Sequence, residues 1–333
     1  MTRPTPPIAV YRSPEPGRYQ SLWVTIAILA LLPGIAAALL YLLTPSDDNA
    51  ALAASFVPYG IIVDLIAFVF FGIATIRARQ RVALTVLTGV SALLLILQLI
   101  WIAPQFVASP RPVHTTPFTI ASLNMKVGSA DLDQVRAVAQ RVDILILVEV
   151  TPEAYPSVRS GLSGRFSHIV PDNGSAGNES MILSRFPLSS GRELRSVMPQ
   201  WSATAQVPDI GPVNLIAAHP CNPFCGGNKW QSEHRQLLRR AEQLNNLPEV
   251  IAGDFNAVDE HGPMRTLAKH GFVSASDIVG SGWQPTYPAN TIVPPLIEID
   301  HVLVNDKLTV TSLRTFRVDG TDHLGLIAQL AGT

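Results

Sequence analysis

The chain has 333 residues, of which 47% are hydrophobic and only 15% charged, and its formal net charge is −1. That length has room for more than one domain. A near-neutral balance with four lysines leaves little for a protein that grips duplex nucleic acid through many phosphates.

The apolar excess sits in the first third. A proline-rich tail (1–20) precedes three runs, 21–43, 52–76 and 82–103, each long enough to cross a hydrocarbon core, which needs roughly 20 apolar residues. The first run is too long, and its flank too polar, for a cleavable signal peptide. Arg3, Arg12 and Arg18 precede the first run and Arg77, Arg79 and Arg81 separate the second and third, whereas Thr44 to Ala51 holds Asp47 and Asp48 and no basic residue. Basic residues stay on the cytoplasmic side, so a multi-pass cell-membrane protein is expected, in contact with the lipid bilayer and with everything after Ala103 extracytoplasmic. Asp64, in the middle of the second run, is expected to face other helices, and Pro33, Gly34 and Pro58 to kink or pack them.

Residues 104–116 are proline-punctuated and without periodicity, as in a linker. Fully extended, thirteen residues reach at most about 3.5 Å each, which keeps the following domain (117–333) close to the bilayer. After Pro110 there are 18 Lys and Arg against 21 Asp and Glu, a net charge of −3. Two stretches in this domain have helical character, Asp131 to Arg141 and Trp230 to Asn246. Apolar strands bounded by turns, with helices between some of them, suit a two-sheet sandwich. Arg235, Arg239 and Arg240 share the second helix with Glu233 and Glu242, the pattern of a solvated face, and Arg235 is nearest the preceding loop.

Several of the strands end on a polar residue. Phe118 to Leu123 runs into Asn124, Asp143 to Val148 into Glu149, and Val213 to Ala218 into His219. Val250-Ile251-Ala252-Gly253-Asp254-Phe255-Asn256 puts a carboxylate and a carboxamide two residues apart at a strand end, so both emerge on one side. Leu296 to Val304 carries Asp300 inside an alternating strand, and Asp322-His323 precedes Leu324 to Ile327. Oxygen ligands, amide donors and imidazoles together suit one hard cation and one phosphoryl group.

In this order the motifs of residues 117 to 330 resemble the endonuclease/exonuclease/phosphatase superfamily. The resemblance implies an α/β fold, a four-layer αββα sandwich, here preceded by three transmembrane helices. It makes Glu149 the metal-binding glutamate, Asn124 its companion, and Asp322 the second carboxylate near the metal. Asp254 and Asn256 correspond to the pair that handles the attacking water and the phosphate. His219 corresponds to the histidine facing the leaving side, and Glu179, in Gly177 to Arg185, to its carboxylate partner. Asp300 corresponds to the aspartate that orients His323. Mg²⁺ is the implied ion, with Mn²⁺ as a substitute. The usual Ser-Asp-His-x-Pro is replaced by Thr321-Asp322-His323-Leu324-Gly325, and the loop after His219 is unusual, which bears on substrate choice.

That loop holds the two cysteines, Cys221 and Cys225, which an extracytoplasmic compartment would oxidise to a small disulfide. A zinc site lacks a second ligand pair. His301 follows Asp300 and is expected on the opposite face of its strand, in a packing role. His114, His168, His234, His261 and His270 carry no motif, and Trp201, Trp230 and Trp283 are expected in the core.

The expected protein is a membrane-anchored, Mg²⁺-dependent phosphoesterase that acts outside the cytoplasm on a lipid, polyprenyl or nucleotide-type phosphate ester. No obligate protein partner is evident. The residues leave the general base between Asp254 and His323. An extracellular nuclease for DNA or RNA, and a non-catalytic receptor or scaffold, are the alternatives; the scaffold would be expected to have lost site residues, and none is missing.

Overall fold

The structure, a computed structural model, describes residues 17–45, 47–78, 81–172, 180–244 and 246–333. Its contacts divide the chain into two compact units, Met1–Leu39 with Pro58–Leu99 and Leu40–Val57 with Ile100–Thr333.

The N-terminal third forms α1 (Gly17–Leu43), α2 (Asp48–Ala54), α3 (Gly60–Arg77) and α4 (Val82–Phe106). Tyr19–Leu43, Val57–Arg77 and Val82–Phe106 are long and apolar enough to cross a membrane, with mean hydropathies of 2.5, 2.2 and 2.3. In the first unit small residues let helices approach: Ala27 and Ala30 of α1 and Ala67 of α3 are buried together, around the ring of Phe71. Asp64 is fully buried there. Its Oδ2 accepts a 2.6 Å hydrogen bond from Gln98 Nε2, and a Cβ on Gly34 would stand 1.9 Å from its Oδ1. Asp64 is therefore a helix-packing residue.

The second expected span differs. Its first residues form α2, whose start is capped by Asp47 Oδ1 accepting from the backbone of Asn49 and Ala50 at 3.1 and 3.0 Å. The α-helix stops at Ala54, a short 3-10 turn covers Val57–Tyr59, and the helix resumes as α3. α2 lies in the second unit, against the short turn at Pro223–Cys225, and Ala51 joins that unit's apolar packing.

Among its described residues the domain after α4 contains twelve strands and five α-helices in this order: β1 (Phe118–Asn124), α5 (Leu132–Ala139), β2 (Ile144–Val148), α6 (Tyr155–Leu162), β3 (His168–Val170), β4 (Ser180–Ser184), β5 (Leu188–Leu194), β6 (Gln200–Val207), β7 (Gly211–Ala218), α7 (Lys229–Leu244), β8 (Glu249–Asp254), α8 (Gly262–Lys269), β9 (Val273–Ser274), α9 (Ala275–Val279), β10 (Asp300–Val304), β11 (Leu308–Phe316) and β12 (Gly325–Gly332). They make two six-stranded sheets, β11-β12-β1-β2-β4-β3 and β5-β6-β7-β8-β10-β9.

Alternation along the strands builds the layers. Ile120, Ile144 and Ile146 from one sheet meet Leu215, Val250 and Val302 from the other in a central core. The opposite faces carry helices: Leu123, Leu145 and Leu147 pack on Val135 and Val158 of α5 and α6, and Ile216, Ile251 and Leu303 pack on Leu237 and Leu267 of α7 and α8. This is the expected four-layer αββα sandwich.

Each sheet contains one parallel pair, β1 with β2 and β7 with β8. β10 runs antiparallel to β8 and sets Asp300 opposite Asp254. One end of the sandwich thus receives the C-terminal ends of four strands and the start of β10. Gly253 makes the β7–β8 approach there: its φ is +148°, and a Cβ would lie 2.0 Å from the Ala218 carbonyl oxygen.

The segment expected as a linker, 104–116, begins later and is tied down by hydrogen bonds. α4 continues through Pro104 to Phe106. Beyond it, Ser109 N donates to Ile278 O, Arg111 Nη1 to the carbonyls of Asn305 and Leu308, and His114 N to Gly332 O.

Candidate active site

The strand ends gather Asn124 (β1), Glu149 (after β2), His219 (after β7), Asp254 (β8), Asp300 (β10) and His323 (before β12). Asn124 bridges the sheets. Its Nδ2 donates at 3.0 Å to both Glu149 Oε1 and Asp254 Oδ2, while its Oδ1 accepts from Lys126 N at 2.8 Å. The other Glu149 oxygen accepts from Val127 N at 2.9 Å. Asp254 Oδ1 accepts from Asn256 N at 2.7 Å, a tight turn that brings Asn256 back to the site, where its Nδ2 donates to Pro220 O. Glu149, Asn256 and Val127 have φ values of +55°, +47° and +53°. Left-handed backbone is costly for such residues, for β-branched Val127 above all, and these hydrogen bonds hold it in place.

His323 Nδ1 lies 2.8 Å from Asp300 Oδ2, and its Nε2 lies 3.7 Å from Asp254 Oδ2. His219 Nε2 is 3.6 Å from Glu149 Oε1 and 3.9 Å from Asp254 Oδ2. Burial disfavours an imidazolium at His323, but Asp300 and Asp254 outweigh it and raise its pKa to about 10. Burial pushes the Asp254 carboxyl up, against the pull of His323 and His219. The pair shares its protons, and each partner's charge stabilises the other's.

Two groups bring three ligand atoms within 4.8 Å of one another: Glu149 with His219 and Asp254, and Asp254 with Asp300 and His323. Carboxylate oxygens dominate both sets, and His219 Nδ1 and Asp300 Oδ1 are buried without a hydrogen-bond partner. The donor set fits a hard divalent cation.

Asp322, expected beside the metal, is in neither group among the described residues. Its carboxylate faces Lys126 Nζ at 3.5 Å, because Thr321 Oγ1 anchors the turn to Asn124 O and directs His323 inward instead. Glu179 lies outside the described residues. The expected disulfide is not formed, and Cys221 and Cys225 are free thiols. The loop is held otherwise: Asn222 O accepts from Cys225 N at 3.1 Å, and Glu233 accepts from Cys221 N at 2.8 Å and from Val197 N at 2.5 Å. Glu233, expected on a solvated face, is buried for this purpose. His301 does turn to the opposite face, with Nε2 2.8 Å from Ala257 O.

Several supporting residues carry no motif signal. Gln200 Oε1 accepts from His219 N at 3.0 Å, Thr286 Oγ1 accepts from Asp300 N at 3.2 Å, and Trp230 Nε1 donates to Asn256 O at 3.1 Å. Tyr287 packs its ring 4.9 Å from that of His323. Only the Thr321 position, inside a recognised motif, offered a hint of its role.

Residues 121–323 match the sequence profile of the Endonuclease/Exonuclease/phosphatase family. The chain belongs to this family. Its members are hydrolases that act on phosphoesters and typically depend on a divalent metal. Solved structures agree at the level of the fold. A family member from Bacteroides vulgatus superposes with a TM-score of 0.54 at 15% identity, covering 66% of this chain and all of its own. A conserved protein of unknown function from Enterococcus faecalis gives 0.51 at 17% identity, with 65% and 100% covered. A mannosyl-6-phosphatase from Bacteroides thetaiotaomicron gives 0.50 at 16% identity, with 64% and 99% covered. A search of curated protein sequences finds no match.

Proposed function

We propose that this member of the endonuclease/exonuclease/phosphatase family is a membrane-anchored, Mg²⁺-dependent phosphoesterase that hydrolyses amphiphilic phosphate esters, of lipid or polyprenyl type, outside the cytoplasm. The observation that carries the reading is the convergence of Glu149, Asp254, Asp300, His219 and His323 at one end of the sandwich. A divalent cation held by Glu149, with Asp254 beside it, would neutralise phosphate charge and ease departure of the leaving oxygen. The Asp254–His323 pair takes the proton from the attacking water, and Asp300 fixes the imidazole that shares it. Asn256, on its strained turn, and His219 donate to phosphate oxygens. Asn124 keeps the Glu149 and Asp254 carboxylates apart and oriented.

The substrate class rests on what surrounds these groups. Among the described residues after the linker, the exposed large apolar side chains are Val127, Val197, Phe224, Ile292 and Val293. Each is on a segment tied to the site. Val127 N holds Glu149, Val197 shares Glu233 with the His219 loop, Phe224 is in that loop, and Ile292 and Val293 follow Ala289, whose N donates to Asp322 O at 2.6 Å. Exposed apolar side chains on segments that reach a polar centre suit a phosphate head with an apolar tail. The arginine distribution supports the extracytoplasmic side.

The test is product analysis of the full-length protein in detergent against phospholipids, polyprenyl phosphates, DNA, RNA and soluble phosphomonoesters, with Mg²⁺ and with chelator. Mg²⁺-dependent release of phosphate or a phosphoalcohol from lipid is expected. Cleavage of nucleic acid alone would replace the reading with a nuclease, and chelator-resistant turnover would remove the metal.

A further inference from the structure

Lined by none of the candidate catalytic residues, a cleft of about 450 Å³ lies between α7 and α8, and its wall includes Leu42 of α1 and Thr44 just after it. Three cationic side chains line it, Arg235 on α7 and Arg265 and Lys269 on α8. Arg265 is already engaged. It donates to the carbonyl of Tyr41, one of the last of α1, and its guanidinium lies 4.1 Å from the centre of the Tyr41 ring. Arg235 and Lys269 are exposed and have no carboxylate within salt-bridge distance among the described residues.

One further feature points to an anion. The N-terminus of α8 borders the cleft through Gly262 and Pro263, and no side chain caps it. His234, on the same wall, is buried beside the Phe255 backbone, and burial lowers its pKa to about 3, so it is neutral and adds no charge of its own to the three cations.

The level of the cleft selects the ligand. Tyr41 near the end of α1 and Trp101 near the end of α4 stack with ring centres 3.9 Å apart, 12° from parallel. Aromatic pairs of this kind mark the headgroup region of a bilayer, and the first apolar helix ends at Leu43, between two of the residues that line the cleft. Leu42 and Leu238 give the same wall an apolar strip where an acyl chain can leave.

We propose that this cleft binds the phosphate of an anionic phospholipid headgroup, with Arg235, Lys269 and the backbone amides at the start of α8 as donors and Arg265 holding the wall to the end of the first span. The site is separate from the catalytic residues and does not depend on the reaction assigned to them.

Full-length protein in nanodiscs of phosphatidylcholine alone, or of phosphatidylcholine with phosphatidylglycerol, tests the site through the thermal midpoint and the lipids retained in native mass spectra. Phosphatidylglycerol should raise the midpoint of the wild type and be retained by it. The R235A/K269A double variant should bind it roughly thirtyfold more weakly, as expected for two cations at a membrane surface. Both side chains are exposed, so the fold should survive. Arg239→Ala, exposed on the same helix and outside the cleft, should behave as wild type. Undiminished phosphatidylglycerol retention by the double variant would overturn the site. If millimolar inorganic phosphate in phosphatidylcholine discs gave the same rise in midpoint, the ligand would be a soluble phosphate and the headgroup assignment would fall.

Discussion

Two sets of buried ionisable groups lie near the end of β8, and they are built on different principles. At the catalytic end every carboxylate has a complementary neighbour: Asp300 has His323, Asp254 has Asn124 and the Asn256 amide, and Glu149 has Asn124 and Val127 N. A few residues on, Asp259, Glu260, Asp277 and Glu298 gather, offset by Gln105, which donates to Asp259, by Gln284 N, which donates to Glu298, by His301 Nδ1 at 3.7 Å from Asp259 and by the charge of Arg265 acting on Glu260. Burial and mutual repulsion raise the pKa of Glu260 to about 8 and of Asp277 to about 7, and push Glu298 well up. An acidic cluster is not a site by count alone. The first set gives each acid a hydrogen-bonding neighbour, whereas burial pushes Glu260, Asp277 and Glu298 of the second towards the protonated form.

The sharpest way to break this contrast is at Glu149. Glu149→Gln keeps shape but offers a poor ligand to a hard cation, and turnover should fall by about 10³-fold with little change in melting temperature. Near-normal rates at limiting Mg²⁺ would remove Glu149 from the metal site. The next effect belongs to the imidazoles. His323→Ala and His219→Ala should each lower kcat by roughly 10²-fold or more. A variant that kept full activity on a verified substrate would return its histidine to a structural role.

The second cluster should respond in stability instead. The folded-state pKa of Glu260 is raised from its ordinary value near 4.5 to about 8, so the folded protein binds the extra proton between those limits. Stability is fully present below pH 4.5 and is lost as pH rises towards 8, by up to about 1.4 kcal/mol per pH unit. Glu260→Gln should flatten that decline in thermal melts between pH 5 and 8 and leave kcat at pH 6 unchanged within about twofold. An unaltered slope would show that the proton is not held there. Smallest is the expected effect at the rim. Phe224→Ser should reduce turnover of lipid substrates about fivefold, as partial loss of one aromatic contact implies, and spare soluble phosphomonoesters. Equal losses on both substrate types would mean that Phe224 supports the loop rather than the tail.

What was legible in the sequence was whatever a strand announces. An apolar run that ends on Asn124, Glu149, His219 or Asp254 contradicts the burial around it, and the contradiction marks the site. The residues that orient these groups escaped notice because Gln200, Thr286 and Trp230 are ordinary occupants of strands, loops and helices and gain meaning only from partners far away in sequence. Glu233 looked like part of a charged helical face, and only the fold shows two backbone amides converging on it. The helix break before Pro58 was lost inside an unbroken apolar run. For the cysteines, the spacing described a loop correctly but not what closes it, which is a set of backbone bonds to Asn222 and Glu233.

The stretch from the last turn of α4 to β1 has a mechanical consequence. Gln105 O accepts from Gly282 N, Ser109 N reaches Ile278 O, Arg111 clasps two carbonyls next to β11, and His114 N reaches Gly332 O. Force transmitted along the chain would therefore reach the sandwich through several points in parallel, distributed over α9, β10, β11 and β12, rather than through a single swivel ahead of Phe118. Such an attachment resists torsion as well as tension.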